Sequence, residues 1–474
     1  MKFKRTLATM MVVIFAASIV RFPILSIGTI SESDDEWSMV IDGESLELLP
    51  ELEEYSWVLD RPPYNPYDKI GLHRLVKSGG EPVGVIFIFS GTWSSGEQIV
   101  SDDVYCKALK AIDAGEDKIE ETRNKVETRS ITHYLALRGF DVYTMDYRTH
   151  FVPNTYTQNE LKFMKSWGWK MYMEDAELAI DKAKEISGAD KLFLGGESFG
   201  GILAMNYASV HWEEDLEGIV LLDGGSGGKP ESLLPIPLPL ALLKVIVYTV
   251  LRFYAMDVAG DNGPVLNFIF PLLPKLEEAT GIEISIPLLN TYRVSHYSEV
   301  AEYALAHPYD PPIDPVTGKP LEPQYNDVTG EPIANYLEWA AYIQYESGTT
   351  NLYEGYNDEE ALAFVAITFD RYWPLQAYLE YFSDTTRIGY ESDSGKWNKD
   401  YYNFYAHYKE IDVPLIAFVS DFGLGFFGEY DPGIANQDVT GYTYPDFNHL
   451  DVYTGTYNPE MINEPTYQWL IDHL

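Results

Sequence analysis

Cysteine is all but absent: 474 residues include one, Cys106. A single thiol excludes an intrachain disulfide framework and any metal site built from several cysteines. Cys106 lies in "DVYCKALK", which has no turn to expose a nucleophile, and it reads as a half-buried helix residue. Positive charge is scarce as well. Lys and Arg number 33 against 73 Asp and Glu, a net charge of −40 at pH 7. Such a chain repels phosphate backbones, which excludes nucleic acid as its partner. The same acidity fits a salty or extracellular setting. Beyond the N-terminus no segment reads as a clear membrane span. The composition is nevertheless 46% hydrophobic, which is globular rather than disordered.

What is present begins with a basic start. Lys2, Lys4 and Arg5 precede "TLATMMVVIFAASIV"; Arg21 interrupts the run, "FPILSIG" follows, and then comes acidic "SESDDEW". Ser26 and Gly28 are spaced like a cleavage site. Residues 1–28 therefore read as a secretory signal or an uncleaved N-terminal anchor. The protein is expected to be secreted or held at the cell surface, with membrane association through this segment in the second case.

After the N-terminus the chain alternates. Two strands flank the turn Ser78–Pro82, and the second, "VGVIFIFSG", is apolar enough to be central. A charge-rich, helical insertion runs from about Gly96 to Arg129. A helix over "SITHYLALRGF", a strand "DVYTMDY" and a helix from about Tyr172 to Ile186 follow, with Asp175, Asp181 and Lys182 on the last helix's wet side. Then come a strand ending "LFLGG", a helix, and the strand "LEGIVLLDGG". Strand, helix, strand, helix with short links predicts a mostly parallel sheet flanked by helices. The rhythm breaks near Gly225 and returns at "EIDVPLIAFVS". The predicted organisation is a sheet domain of residues 29–225 and 410–474, interrupted by a mainly helical cap of residues 226–409. Within the cap, "VTGKP" and "VTGEP" repeat a short turn, too little for a repeat protein.

Chemistry concentrates in "LFLGGESFGG". A buried strand that turns at once into a helix strains its turning residue. Gly196 and Gly200 let the two elements meet closely around Ser198. A serine hydroxyl becomes a nucleophile when a neighbouring histidine takes its proton and a carboxylate steadies that histidine. Of the nine histidines, only His449 and His473 follow the last strong strand. His473 is the penultimate residue, so His449, in the loop-like "YPDFNHLDVYTG", is the better base. Asp421 stands just past "PLIAFVS" and Asp223 just past "EGIVLL"; of the two acids Asp421 is preferred, using the chain order serine, acid, histidine. The oxyanion needs two N–H donors. Phe199 at the head of the helix supplies one, and Thr92, after Gly91 in "FIFSGTW", the other. Two decoys fall away. "GLGFFG" at Gly423 is followed by "EYDPG", which cannot open a helix, so no dinucleotide site is expected there. "DFG" at Asp421 has no kinase companions.

The pieces "FIFSGTW", "GFDVYTMDYRTH", "KLFLGGESFGG", "VPLIAFVSD" and "FNHLDVYTG" stand in the order of the α/β-hydrolase superfamily, which the chain resembles. The histidine run is similar to that of the acid lipases. The resemblance implies an α/β-hydrolase fold with Ser198 as nucleophile, His449 as base and Asp421, or alternatively Asp223, as acid. It implies oxyanion donors at Phe199 and Thr92, and neither metal nor organic cofactor. The substrate does not carry over with the resemblance; the residues themselves are read as those of a serine hydrolase acting on small-molecule or lipid esters, a carboxylesterase or lipase. Family members commonly carry histidine where this chain has Ser90, a departure that touches the oxyanion loop's geometry but not its backbone donors. Ser198 argues against the epoxide hydrolases and dehalogenases of this fold, which use aspartate. A serine peptidase or amidase would use the same residues, and a non-catalytic surface binding protein could keep the fold.

The cap residues resemble no family. Its helix "PLALLKVIVYTVLRFYAM" is either the cap's own core, the pocket being then to be sought elsewhere, starting beside Trp93, or part of an acyl pocket over Ser198 lined by Val247 and Leu251. Polar substitution at Val247 or Leu251 should then raise KM for long-chain esters more than for acetates. Equal losses on both, with a lower melting temperature, would make the helix structural.

Overall fold

Every side chain of "VIFIF" is buried, and successive ones point to opposite faces of the sheet. Val85, Phe87 and Phe89 join one hydrophobic cluster, and Ile86 and Ile88 another. A strand covered on both sides is the mark of a sheet between two helix layers. A computed structural model describes residues 37–40, 48–92, 94–100, 105–106, 109–110, 112–153, 156, 163–164, 167–224, 300, 303–304, 306–315, 317–326, 330–346, 374, 390–391, 396–397, 407–420, 432–444, 447 and 449–474. The chain divides into two compact units, residues 1–36 and Trp37–Leu474. The first lies outside the described residues, and the expected signal or anchor with it.

The strands in chain order are β1 (Ser38–Val40), β2 (Leu52–Asp60), β3 (Lys69–Lys77), β4 (Gly84–Phe89), β5 (Phe140–Asp146), β6 (Leu192–Glu197), β7 (Leu216–Leu222), β8 (Tyr390–Glu391), β9 (Lys396–Trp397), β10 (Leu415–Ser420) and β11 (Val439–Tyr444). Nine form one sheet in the order β1-β2-β3-β5-β4-β6-β7-β10-β11, and β8 pairs with β9 alone. Pairing is antiparallel from β1 to β5 along that order and parallel from there to β11. The two strands around the Ser78–Pro82 turn are not neighbours, because β5 lies between them. β7 and β10 pair directly, Leu222 opposite Phe418. They are neighbours in the sheet although far apart in the chain.

The α-helices among the described residues are α1 (Gly96–Val100), α2 (Glu116–Arg129), α3 (Ile131–Leu137), α4 (Trp169–Ser187), α5 (Phe199–Asp215), α6 (Tyr336–Glu346), α7 (Asp451–Thr454) and α8 (Glu464–Asp472). α4 buries Trp169, Tyr172, Met173, Ala176, Ala179, Ile180 and Ala183, one stripe at helical spacing, and ends at Gly188 in the left-handed region. With α5 it covers the face that carries Phe87, Phe89 and Leu194. Val126 of α2, Tyr134 and Leu135 of α3, and Trp469 and Leu470 of α8 cover the other, over Ile86, Phe193, Val220 and Phe418. Each such large apolar side chain contributes about 1.5–3 kcal/mol by leaving water. Cys106 is fully buried in the second cluster rather than half-buried. The repeated turns form two equivalent hairpins: Ile313 bridges Pro320 and Tyr325 bridges Pro332, with Gly318 and Gly330 at φ 67° and 75°. α6 packs behind them, its Leu337 N–H bonding the Pro308 carbonyl at 3.2 Å. Among the described residues no helix is long and apolar enough to cross a membrane.

One expectation for α4 is corrected. Asp181 is exposed, but Asp175 is buried. It receives Arg148 Nε at 2.7 Å and Nη2 at 2.8 Å, and Arg61 Nε at 3.1 Å. Arg148 also bonds Asp68 Oδ1 at 2.9 Å, which accepts Trp167 Nε1 at 2.8 Å. The carboxylate faces inward because two guanidinium groups from remote segments meet it there. Removing one member of a buried ion network leaves its partners charged and unmatched. Asp175→Ala should therefore lower the unfolding free energy by about 3–5 kcal/mol in urea titration. Asp181→Ala should stay within about 0.5 kcal/mol; equal effects would contradict the network's role.

Candidate active site

β6 ends at Glu197 and α5 starts at Phe199, so a single residue, Ser198, makes the turn. It does so at φ 52° and ψ −118°, a conformation that costs a non-glycine residue about 1–3 kcal/mol. Neighbouring glycines make it sterically possible. A Cβ on residue 196 would overlap the Gly200 carbonyl, and one on residue 200 the Phe89 carbonyl of β4. The turn is pinned by Ser198 N–H on the Leu222 carbonyl at 3.2 Å. The strain leaves Ser198 Oγ at the carboxyl edge of the parallel strands, where open α/β sheets bind their ligands.

His449, two residues before α7, brings its ring to that hydroxyl. Ser198 Oγ and His449 Nε2 are 2.6 Å apart, and His449 Nδ1 lies 2.6 Å from Asp223 Oδ2. A carboxylate has no proton to give, so Nδ1–H donates to Asp223 and Nε2 is left to accept from the serine O–H. Asp223 is buried, and the last residue of β10 fixes its carboxyl group. Ser420 N–H donates to Oδ1 at 2.8 Å and Ser420 Oγ to Oδ2 at 2.7 Å. The His449 side chain is 21% exposed, open enough to meet a substrate. Burial opposes its charge, but the bond to Asp223 and the charges of Asp223, Glu197 and Asp451 outweigh it. Its pKa is held up at about 9.

The carboxylate on His449 is thus Asp223, where the sequence order favours Asp421. The strand order supplies the reason. β7 is the direct neighbour of β6, so the residue after β7 lies beside the serine, whereas β10 is one strand further out and contributes Ser420 behind the acid. Asp421 lies outside the described residues, as do Trp93, Val247, Leu251 and the "GLGFFG" loop. Of the expected oxyanion donors, Phe199 follows the serine directly. Gly91 backs onto it, since a Cβ there would stand 3.2 Å from Ser198 Cβ, which sets Thr92 next to the site. Tyr147 holds this loop from below, its OH donating to the Ser90 carbonyl at 2.7 Å.

Two residues at the site escaped the sequence reading. Ser420 is the final residue of "PLIAFVS", visible only as a strand end. Glu197 stands inside the serine motif itself, and its Oε1 is 3.6 Å from His449 Nε2. Among the described residues no group of three or more His, Cys, Asp or Glu is arranged to hold a metal ion.

A mostly parallel sheet between helix layers, with a strained serine after one of its central strands, is the α/β-hydrolase fold, and the chain is a hydrolase of that superfamily. The family model described as serine aminopeptidase, S33 matches residues 122–265. A candidate lipase from Sulfolobus solfataricus is 26% identical, with 93% of this chain and 99% of that one covered and a TM-score of 0.59. A hypothetical protein from Pseudomonas aeruginosa is 11% identical over 92% of this chain and 99% of its own, at a TM-score of 0.44. The monoacylglycerol lipase of Paleococcus ferrophilus is 12% identical over 83% of this chain and 97% of its own, at 0.37. No curated protein matches the sequence.

Exchanging the acid for its amide removes the charge that steadies the imidazolium and permits the wrong tautomer. Asp223→Asn should lower kcat on a p-nitrophenyl ester on the order of 10⁴-fold. Asp421→Asn should cost far less; the reverse ranking would return the role to Asp421.

Proposed function

We propose that the protein is a serine hydrolase that cleaves carboxylic esters through an acyl-enzyme. The observation that carries this reading is the continuous hydrogen-bonded line from Ser198 through His449 to buried Asp223, with 2.6 Å at each step. Ser198 Oγ attacks the ester carbonyl carbon while its proton passes to His449 Nε2. Asp223 balances the imidazolium so formed. The Phe199 and Thr92 backbone N–H groups receive the oxyanion; a donor in that role contributes about 2.7–4 kcal/mol. Collapse expels the alcohol with the proton from Nε2. Water, deprotonated by the same nitrogen, then attacks the acyl-serine and releases the acid.

Esters are favoured because the Sulfolobus protein, similar over nearly the whole length, is described as a candidate lipase. A second reading, peptide or aminoacyl amide cleavage with the same residues, is supported by the description of the matching family model. The basic and apolar residues 1–28 support action outside the cytoplasm or at the membrane surface.

A fluorophosphonate probe should label the protein at Ser198 and leave Ser198→Ala unlabelled. On a panel of p-nitrophenyl acyl esters and aminoacyl p-nitroanilides, the protein should turn over the esters. Turnover of the anilides alone would replace the ester reading by the peptidase one. Absence of both labelling and turnover would overturn the hydrolytic mechanism.

A further inference from the structure

The mechanism above leaves one buried carboxyl group at the site unused. Glu197 is 9% exposed, and its two oxygens have different surroundings. Oε2 lies against Gly91, whose backbone N–H bonds to the carboxyl group. A Cβ at position 91 would occupy the same space, so the close approach requires glycine there. Oε1 has no hydrogen-bond partner among the described residues, although it is buried. Leaving such an atom unmatched costs about 1–3 kcal/mol.

A group close enough to match it on a small shift is the atom that changes during the reaction. Oε1 is 3.6 Å from His449 Nε2. Before attack, Nε2 accepts from Ser198 and offers Oε1 only a lone pair. After the proton has moved, Nε2 carries both an N–H and a share of the positive charge. An oxygen poorly matched to the resting ring and well matched to the protonated one lowers the barrier rather than the ground state.

We propose that Glu197 is a positioning residue that acts through His449. Its ionised carboxyl group stabilises the imidazolium formed when Ser198 gives up its proton, while its bond to Gly91 holds the oxyanion loop in register with the same event. This rests on the serine-hydrolase reading. The charged groups that face this pair are Asp223 after β7 and Asp451 at the start of α7, and the uncharged Gly91 N–H after β4 bonds Glu197. Burial pushes Glu197 up to about 7, and the charge of Asp223 acts the same way; His449 and the Gly91 N–H pull it down. The carboxyl group therefore gains its charge in the neutral range. Above that point it raises the basicity of His449, and below it the support is lost.

The test is the second-order rate of fluorophosphonate labelling at Ser198 against pH, for the wild type and Glu197→Gln. Because Nε2 must be unprotonated to take the serine proton, the rate rises as pH passes through the His449 pKa. Losing the neighbouring anion should move the midpoint of that rise down by about one pH unit and lower the plateau about tenfold. A plateau loss with an unmoved midpoint, or an unchanged profile, would overturn the role. A wild type that is never labelled would overturn the hydrolase reading beneath it, a distinct result. Should Glu197→Gln fail to fold, the ring nitrogen shifts of His449 in the wild type report the same coupling. Two inflections are expected, one from Glu197 and one from the ring, and a single inflection would contradict the proposal.

Discussion

Ser198 stands at φ 52°, and it can stay there only because Gly196 and Gly200 leave the strand and helix backbones in near contact around it. The cost is local, while the support is spread over β4, β6, β7 and α5. β4 presents the Phe89 carbonyl to Gly200, β7 accepts the Ser198 N–H, and α5 begins at the next residue. Strain of this size persists where surrounding packing over-determines the backbone. The result is a hydroxyl raised to the edge of the sheet, with the helix N-terminus and the loop after β4 on either side of it.

Around that hydroxyl the electrostatics are weighted one way. Asp223, Glu197 and Asp451 all act on the single imidazole of His449, and together they hold it more basic than a free histidine despite its burial. The three differ in kind. Asp223 is fully bonded by Ser420 and the ring, so it is fixed in place and orients the tautomer. Glu197 is bonded on one oxygen and open on the other, so its influence depends on where the proton is. In a chain with a net charge of −40, these acids are singled out by position and not by abundance.

Much of this is legible in the sequence because the central elements obey local rules. β4, β6, β7 and β10 are short apolar runs, α4 and α5 follow or fill helical stripes, and the glycines around Ser198 announce the turn. His449 is legible from chain order alone. The acid is not, since Asp223 and Asp421 both end strands and both fall between serine and histidine. Only the order of strands in the sheet, a long-range property, separates them. β2 carries charged residues along a partly exposed strand, and β11 is "VTGYTY", polar and poorly buried, so neither advertises itself by hydrophobicity. Asp175 looks like an outward residue until Arg148 and Arg61 arrive from elsewhere in the chain. Glu197 is plain to see beside the serine, but its partner atom lies in a loop near the C-terminus.

The site turns on the bond between His449 Nδ1 and Asp223 Oδ2. A proton held between imidazole Nδ1 and a buried carboxylate resonates far downfield in the proton NMR spectrum, apart from the other amide and ring signals. This signal should be present in the wild type, persist in Asp421→Asn, and disappear in Asp223→Asn. A downfield signal that survives in Asp223→Asn and vanishes in Asp421→Asn would contradict it.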